Sequence, residues 1–129
     1  MLDMLLAAAL AQATNQAGPA PDWRQIARVE GRGTVYFDPA SLARDGRRLQ
    51  ITLRAAFDAD QPSGMRTGIS VVRIDCTAQT VALGRIISFD ARGTVLSDGQ
   101  AQGAPSVPHT VAPDSPYRAV IDHFCAPGA

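Results

Sequence analysis

The chain has 129 residues, of which 46% are hydrophobic and 19% are charged. That composition is too apolar for a disordered chain and too interrupted for a bundle of membrane helices. The twelve basic and twelve acidic side chains cancel, so no excess of positive charge favours nucleic acid as a partner. A chain of this length is expected to form one domain.

The N-terminal segment is typical of a secretory signal peptide. An apolar run over residues 5–11 is followed by Ala11-Gln12-Ala13, which places small residues at the cleavage positions. The run is too short to span a bilayer, which needs about twenty residues. We therefore expect an exported protein with a signal peptide over 1–13, a flexible leader over 14–21 and a folded domain over 22–129.

The chain has two cysteines, Cys76 and Cys125, which are 49 positions apart. This is not a spacing of metal ligands, and no CxxC redox motif is present. A pair of cysteines in an exported domain of this size usually forms a structural disulfide. We therefore predict a Cys76–Cys125 disulfide; two unrelated buried thiols are the alternative.

The first third of the domain predicts short strands joined by tight turns. Residues 23–29 and 34–37 indicate two strands around a glycine-rich turn at 31–33. An aspartate followed by proline opens the segment 38–42 and predicts a single capped helical turn. Asp45-Gly46 predicts a hairpin turn of type I′.

The clearest strand covers residues 48–57, where apolar and polar residues alternate. Period two places one set on a buried face. That set is Leu49, Ile51, Leu53, Ala55 and Phe57. Residues 58–66 are predicted to form a loop and 68–76 the next strand.

The segment 80–89 predicts a further strand with its apolar residues on one face. Those residues are Val81, Leu83, Ile87 and Phe89. Arg85 interrupts the face and therefore indicates an edge position or a β-bulge. A turn at 90–93 and a returning strand at 94–97 are predicted next, and residues 98–113 form the longest irregular stretch.

The C-terminal segment predicts one amphipathic helix. Ser115 and Pro116 suit the N-cap and the first helical position, and Pro127 prevents continuation. Apolar residues recur at i, i+3, i+4 and i+7. They are Tyr117, Val120, Ile121 and Phe124. A helix this short must dock to persist, so we predict an α+β fold, an antiparallel sheet of about five or six strands with one helix packed on it.

The residues that carry chemistry do not form a catalytic or metal-binding pattern. His123 and Cys125 lie two positions apart on a helix and therefore point in different directions, which does not suit a nucleophile and its base. His109 has no ligand partner at a suitable spacing, and the 58–60 segment lacks the glycine and glutamate of a calcium loop. We therefore predict no enzyme, no cofactor and no metal.

Several motifs together resemble the surface-adhesin protein E family, over about Trp23 to Cys125. The most specific are V-Y-x-D-P-x-S-L-x-R-x-G over 35–46, the Asp75-Cys76 pair and the segment from Pro113-x-Ser115 to the second cysteine. The resembling positions are Trp23, Tyr36, Asp38, Ser41, Gly46, Pro113 and Ser115.

The resemblance implies a protein of the periplasm or outer surface of a Gram-negative envelope, with an antiparallel sheet, a C-terminal helix and one disulfide. The best-known member is an adhesin that binds host matrix proteins, so the expected partner is another envelope protein or a host matrix protein. The segment 77–80 is uncharged where basic residues are common in the family. A lysine-rich binding surface is therefore not implied here.

Two other functions remain open at this point. A small periplasmic carrier of an apolar ligand would need a pocket of several hundred Å³ lined by residues 49, 51, 53 and 57; a solid core would exclude it. A purely structural envelope protein is the third possibility.

Overall fold

The computed structural model describes residues 21–100, the last of these by its backbone alone, and 107–126. The predicted signal peptide and residues 14–20 of the predicted leader lie outside this part of the chain. The described strands are β1 (Arg24–Val29), β2 (Gly33–Phe37), β3 (Ala43–Asp45), β4 (Arg48–Phe57), β5 (Thr67–Asp75), β6 (Thr80–Phe89), β7 (Val95–Gln100) and β8 (His109–Thr110). The C-terminal helix is α1 (Pro116–Cys125), and a single 3-10 turn covers Pro39–Ser41.

All pairings in the sheet are antiparallel, and the strands follow the order β1-β2-β4-β5-β6-β7. The short β3 pairs with the beginning of β4, and the short β8 pairs with the beginning of β6. The predicted α+β fold, an antiparallel sheet with one C-terminal helix packed on it, is confirmed. None of the described helices has the length and apolar character that crossing a membrane requires.

Helix α1 packs on one surface of the sheet, which we call the covered face. Its buried residues Val120, Ile121 and Phe124 join one apolar core with the strands. The strand residues of that core are Val35, Leu49, Ile51, Leu53, Val72, Ile74 and Val81. The predicted inward set of β4 and the predicted apolar stripe of the helix are therefore on the expected faces.

The opposite surface, which we call the open face, is not covered by any helix or second sheet of the described residues. Strand register assigns its side chains, because directly paired residues point to the same side of a sheet. Its central members are Tyr36, Thr52, Arg54, Ile69, Val71, Arg73, Ile87 and Phe89.

The prediction for β6 is wrong in its second half. Ser70 pairs with Ile86 and Val72 with Leu83, so β6 carries one extra residue at this point. The bulge reverses the alternation, and Ile87 and Phe89 lie on the open face, away from Val81 and Leu83. Arg85 lies at this bulge. The prediction continued the same alternation beyond Arg85 and therefore assigned Ile87 and Phe89 to the wrong face.

The turn between β3 and β4 also differs in type from the prediction. Gly46 has a φ of 61°, whereas Arg47, the other central residue, has no positive φ. A type I′ turn needs positive φ at both central positions, and a type II′ turn needs it at the first alone. The hairpin forms as predicted, with glycine at the first position of a type II′ turn.

Candidate functional site

The predicted disulfide is present. Cys125, the last residue of α1, is bonded to Cys76, which directly follows β5. The Arg44 guanidinium also donates to the Phe124 carbonyl at 2.6 Å. The Cys76 amide donates to the carbonyl of Arg47, the residue directly before β4. These contacts together hold the C-terminal end of the helix beside the beginning of β4.

The resembling positions near β2 make contacts within the fold. Asp38 caps the 3-10 turn by accepting from the Ala40 amide at 3.1 Å. The Ser41 hydroxyl donates to the Asp38 carbonyl at 2.7 Å and accepts from the Thr52 amide at 2.9 Å. Together with the hydrogen bond from the Asp38 amide to the Thr52 carbonyl, these contacts fasten the turn to β4.

The other resembling positions are spread over the molecule. Ser115 is the N-cap of α1 and accepts from the Tyr117 amide. Pro113 is exposed in the turn before it, and Trp23 is half-buried at the start of β1. The seven positions therefore do not converge on one point, although Tyr36 contributes to the open face.

The two histidines lie apart. His109 is exposed in β8, and the His123 ring packs against Phe37 and Phe124, with ring centroids 5.6 and 4.7 Å away. The sulfur of Cys125 is bonded and offers no thiol beside His123. Among the described residues, no group of three His, Cys, Asp or Glu side chains could hold a metal ion.

Charged side chains border the open face in pairs. Arg28 binds Asp58 through two hydrogen bonds of 3.0 and 2.7 Å, and Arg85 binds Asp98 through two of 2.8 and 2.7 Å. The hydrogen bonds from these guanidinium groups are the main cause that lowers the pKa of each aspartate below its ordinary value. The sequence does not reveal these partners, which are 30 and 13 positions apart.

Asp75 lies at the end of the open face, near the disulfide. Its carboxylate accepts from the amides of Thr77 and Ala78 at 3.0 Å and lies 3.4 Å from the Arg48 guanidinium. The hydrogen bond from the Ala78 amide is the largest cause that lowers the pKa of Asp75. Asp75 therefore stays ionised and closes the turn from β5 to β6.

Two arginines of the open face have no acidic partner among the described residues. The Arg54 guanidinium lies over the Tyr36 ring, 5.5 Å from its centroid, and Arg73 donates to the Gln50 amide oxygen at 3.4 Å. On the open face of β5, Val71 lies between Arg73 and Ile69. Ile69 pairs with Arg54 on one side and with Ile87 on the other. The centre of the open face thus combines apolar side chains with two uncompensated positive charges.

A separate cavity of about 380 Å³ lies on the covered face. It opens where α1 begins, between the first helical turn, the beginning of β2 and the end of β4. Its accessible apolar walls include Val29, Ala55 and Phe57, whereas Val35, Leu53 and Val120 border it but are almost fully buried. Of the four positions predicted to line a pocket, Leu53 and Phe57 do so, whereas Leu49 and Ile51 are buried in the core and line none of it.

Polar groups of the cavity are few. The Tyr117 and Ser70 side chains are among them, and burial is the main cause that raises the pKa of the Tyr117 hydroxyl above its ordinary value. Gln61 and Arg32 also belong to the lining. The core around Leu49 and Ile51 is solid, and the cavity lies beside it, so the predicted pocket is present only at the 53–57 end of β4.

Comparison with known proteins agrees with the fold. The sequence model of the Surface-adhesin protein E family matches residues 23–126. The structure of Haemophilus influenzae protein E superposes with a TM-score of 0.55 at 17% identity, covering 84% of this chain and 90% of that chain. Its crystal form II gives a TM-score of 0.51 at 17% identity, covering 84% and 94%. No curated protein sequence matches the chain. The chain belongs to the surface-adhesin protein E family.

Proposed function

We propose that this protein is a non-catalytic binding module of a Gram-negative envelope, exported to the periplasm or outer surface, whose partner is another envelope protein or a host matrix protein. The observation that carries the proposal is the open face of the sheet in a member of an adhesin family. Signal-peptide cleavage after residue 13 and a folded domain over 22–129 belong to the same proposal. Mass analysis of the mature protein, with and without reduction, tests the cleavage site and the thiol state together.

The open face has the size that a specific protein interface needs. The six strands have five to ten residues each, so at about 3.3 Å per residue and 4.8 Å per strand the face covers roughly 700 Å². A standard protein–protein interface buries about 800 Å² of each partner. A rigid sheet also loses little conformational freedom when it binds.

The chemistry of this face favours a partner surface that is acidic around an apolar centre. Arginine and aromatic residues are enriched at interface centres, and Arg54 stacked on Tyr36 presents both. Asp58, Asp75 and Asp98 are each paired with an arginine, which leaves Arg54 and Arg73 to attract carboxylates of the partner. Their attraction should speed association at low salt.

Biosensor binding of the purified protein to a panel of individual matrix and outer-membrane proteins tests the proposal. We expect the R54Q/R73Q double variant to bind the identified partner at least about tenfold more weakly, with a smaller dependence on salt. R24Q/R92Q, which removes two exposed arginines outside the centre of the open face, is the matched control. Equal binding by the two double variants, or no binding to any panel member by the folded protein, would contradict the proposal.

A second function, carriage of a small apolar ligand, is favoured by the cavity on the covered face. Its volume of about 380 Å³ falls in the range of small-molecule sites, about 300–1,000 Å³. The cavity is open to solvent on one side, where Arg32 and Ala59 are exposed, so a ligand can reach it from outside. Binding of a neutral apolar compound to the folded protein tests this function, as designed below.

The resembling positions are proposed to serve the fold and not the partner. Ser41, Asp38 and Ser115 use their side chains as caps and backbone partners. Tyr36 is the exception because its ring supports Arg54 on the open face. Replacing Ser115 should therefore lower stability while leaving partner affinity of the folded fraction unchanged.

A further inference from the structure

The cavity exists because the helix is shorter than the sheet it covers. Ten helical residues extend about 15 Å, whereas the ten residues of β4 extend about 33 Å. The disulfide holds the end of α1 beside the beginning of β4, so the first helical turn lies over the middle of the strand. The far end of β4, from Ala55 to Phe57, is therefore left without helical cover.

The turn between β1 and β2 forms the wall opposite the helix. It approaches β4 so closely that a Cβ on Gly33 would lie 2.2 Å from the Ala56 carbonyl oxygen. The Arg32 carbonyl accepts from the Asp58 amide at 2.8 Å, which holds the turn in place. Gly31, Arg32 and Gly33 all line the cavity as a result.

Arg32 is the charged residue of the cavity lining. It is exposed, and its guanidinium has no ion pair or hydrogen bond with any described residue. Its neighbour Arg28 is, by contrast, paired with Asp58. No aspartate or glutamate is among the lining residues, so Arg32 has no competing carboxylate within the site.

We propose that this cavity binds a small amphiphile that carries a carboxylate, with its apolar body against Val29, Ala55 and Phe57 and its carboxylate on Arg32. The proposal rests on the second function above and names its ligand class. Guanidinium and carboxylate form paired, charge-assisted hydrogen bonds. The apolar walls contribute affinity in proportion to the surface that the ligand removes from water.

Decanoate and 1-decanol, each below its aggregation threshold, test the proposal by calorimetry on the full exported chain. We expect decanoate to bind at least about tenfold more tightly than 1-decanol, because its carboxylate can form charge-assisted hydrogen bonds with Arg32 that the hydroxyl of decanol cannot match. R32Q should weaken decanoate binding by a similar factor and leave 1-decanol unchanged. R92Q is the matched control, since Arg92 is also exposed in a hairpin turn but does not line the cavity.

A55F places a large ring in the cavity lining and should abolish binding of both compounds. If that variant does not fold, methyl shifts of Val29, Leu53 and Val120 in the wild type locate the ligand instead. Equal affinity for the two compounds, unchanged in R32Q, overturns the carboxylate inference and leaves the carrier function standing. No binding of either compound overturns both, and methyl shifts confined to residues outside the cavity overturn the assignment of the site.

Discussion

Cys125, the last residue of the helix, is bonded to Cys76, which directly follows β5, and their Cα atoms are 5.4 Å apart. This bond decides which part of the covered face the helix can reach. It places Val120 and Ile121 over the core strands and leaves the far end of β4 to the cavity. One covalent tie therefore serves both stability and the shape of the candidate ligand site.

The C76S/C125S variant tests the contribution of this tie. Closing a loop of this length restricts the unfolded chain, and its removal should lower the free energy of unfolding by about 4 kcal/mol. Urea unfolding followed by circular dichroism measures the loss. The double variant avoids a lone thiol, and the reduced wild type is its control. An unchanged midpoint in both would contradict the prediction.

Ser41 should be more important for stability than its half-buried position indicates. S41A removes one hydrogen bond to the Asp38 carbonyl and leaves the Thr52 amide of β4 without its partner. We expect the free energy of unfolding to fall by about 1–3 kcal/mol. S97A, at an exposed position of β7, is the control and should change it by less than about 0.5 kcal/mol. Equal effects of the two changes in urea unfolding would refute this interpretation.

Gly33 should not tolerate a side chain. In G33A the new Cβ would meet the Ala56 carbonyl at 2.2 Å, so β2 and β4 must separate locally. Overpacking of this kind costs about 1–3 kcal/mol, measurable as a lower melting temperature. At Gly99, also in a strand, an added Cβ would meet nothing within 4 Å. G99A is therefore the control, and a melting temperature as low as that of G33A would contradict the argument.

Stability should decrease in acid. The pKa values of Asp58, Asp75 and Asp98 are lowered in the folded protein, so the unfolded chain binds more protons as the pH falls. Their contribution is complete above the unfolded-state pKa of aspartate, about 3.9, and is lost as the pH falls through the lower folded values. Urea unfolding between pH 7 and pH 2 measures the decline.

The D75N variant separates one carboxylate from the other two. We expect it to be less stable than the wild type at pH 7 and to lose less stability on acidification, because its amide cannot protonate in this range. D114N, at an exposed position without an ion pair or hydrogen bond to a described residue, is the control. Parallel curves for D75N and the wild type would rule out Asp75 as a source of the pH dependence.

Local rules predicted the elements where a residue's own chemistry decides its conformation. Ser115-Pro116 begins the helix, the aspartate at 38 caps its turn, and the alternation along β4 assigns its buried face. These signals act between near neighbours in the chain. The disulfide between residues 49 positions apart was predicted on another ground, the presence of two cysteines in a domain expected to be exported.

The candidate sites depended on contacts that local patterns do not contain. The bulge in β6 arises from its register with β5, and it moves Ile87 and Phe89 to the open face. Alternation along β6 alone places these two residues on the covered face. The period of two assigns faces correctly only while the register with the neighbouring strand is unbroken.

The sequence by itself determined an apolar helix, an alternating sheet and a pair of cysteines to join them. The tertiary structure alone decided that the helix stops short of the end of β4, that Arg32 borders the space left there, and that Arg54 and Arg73 lack acidic partners. The physical reason is that propensity and periodicity act along the chain. Cavities and uncompensated charges result from how distant segments meet.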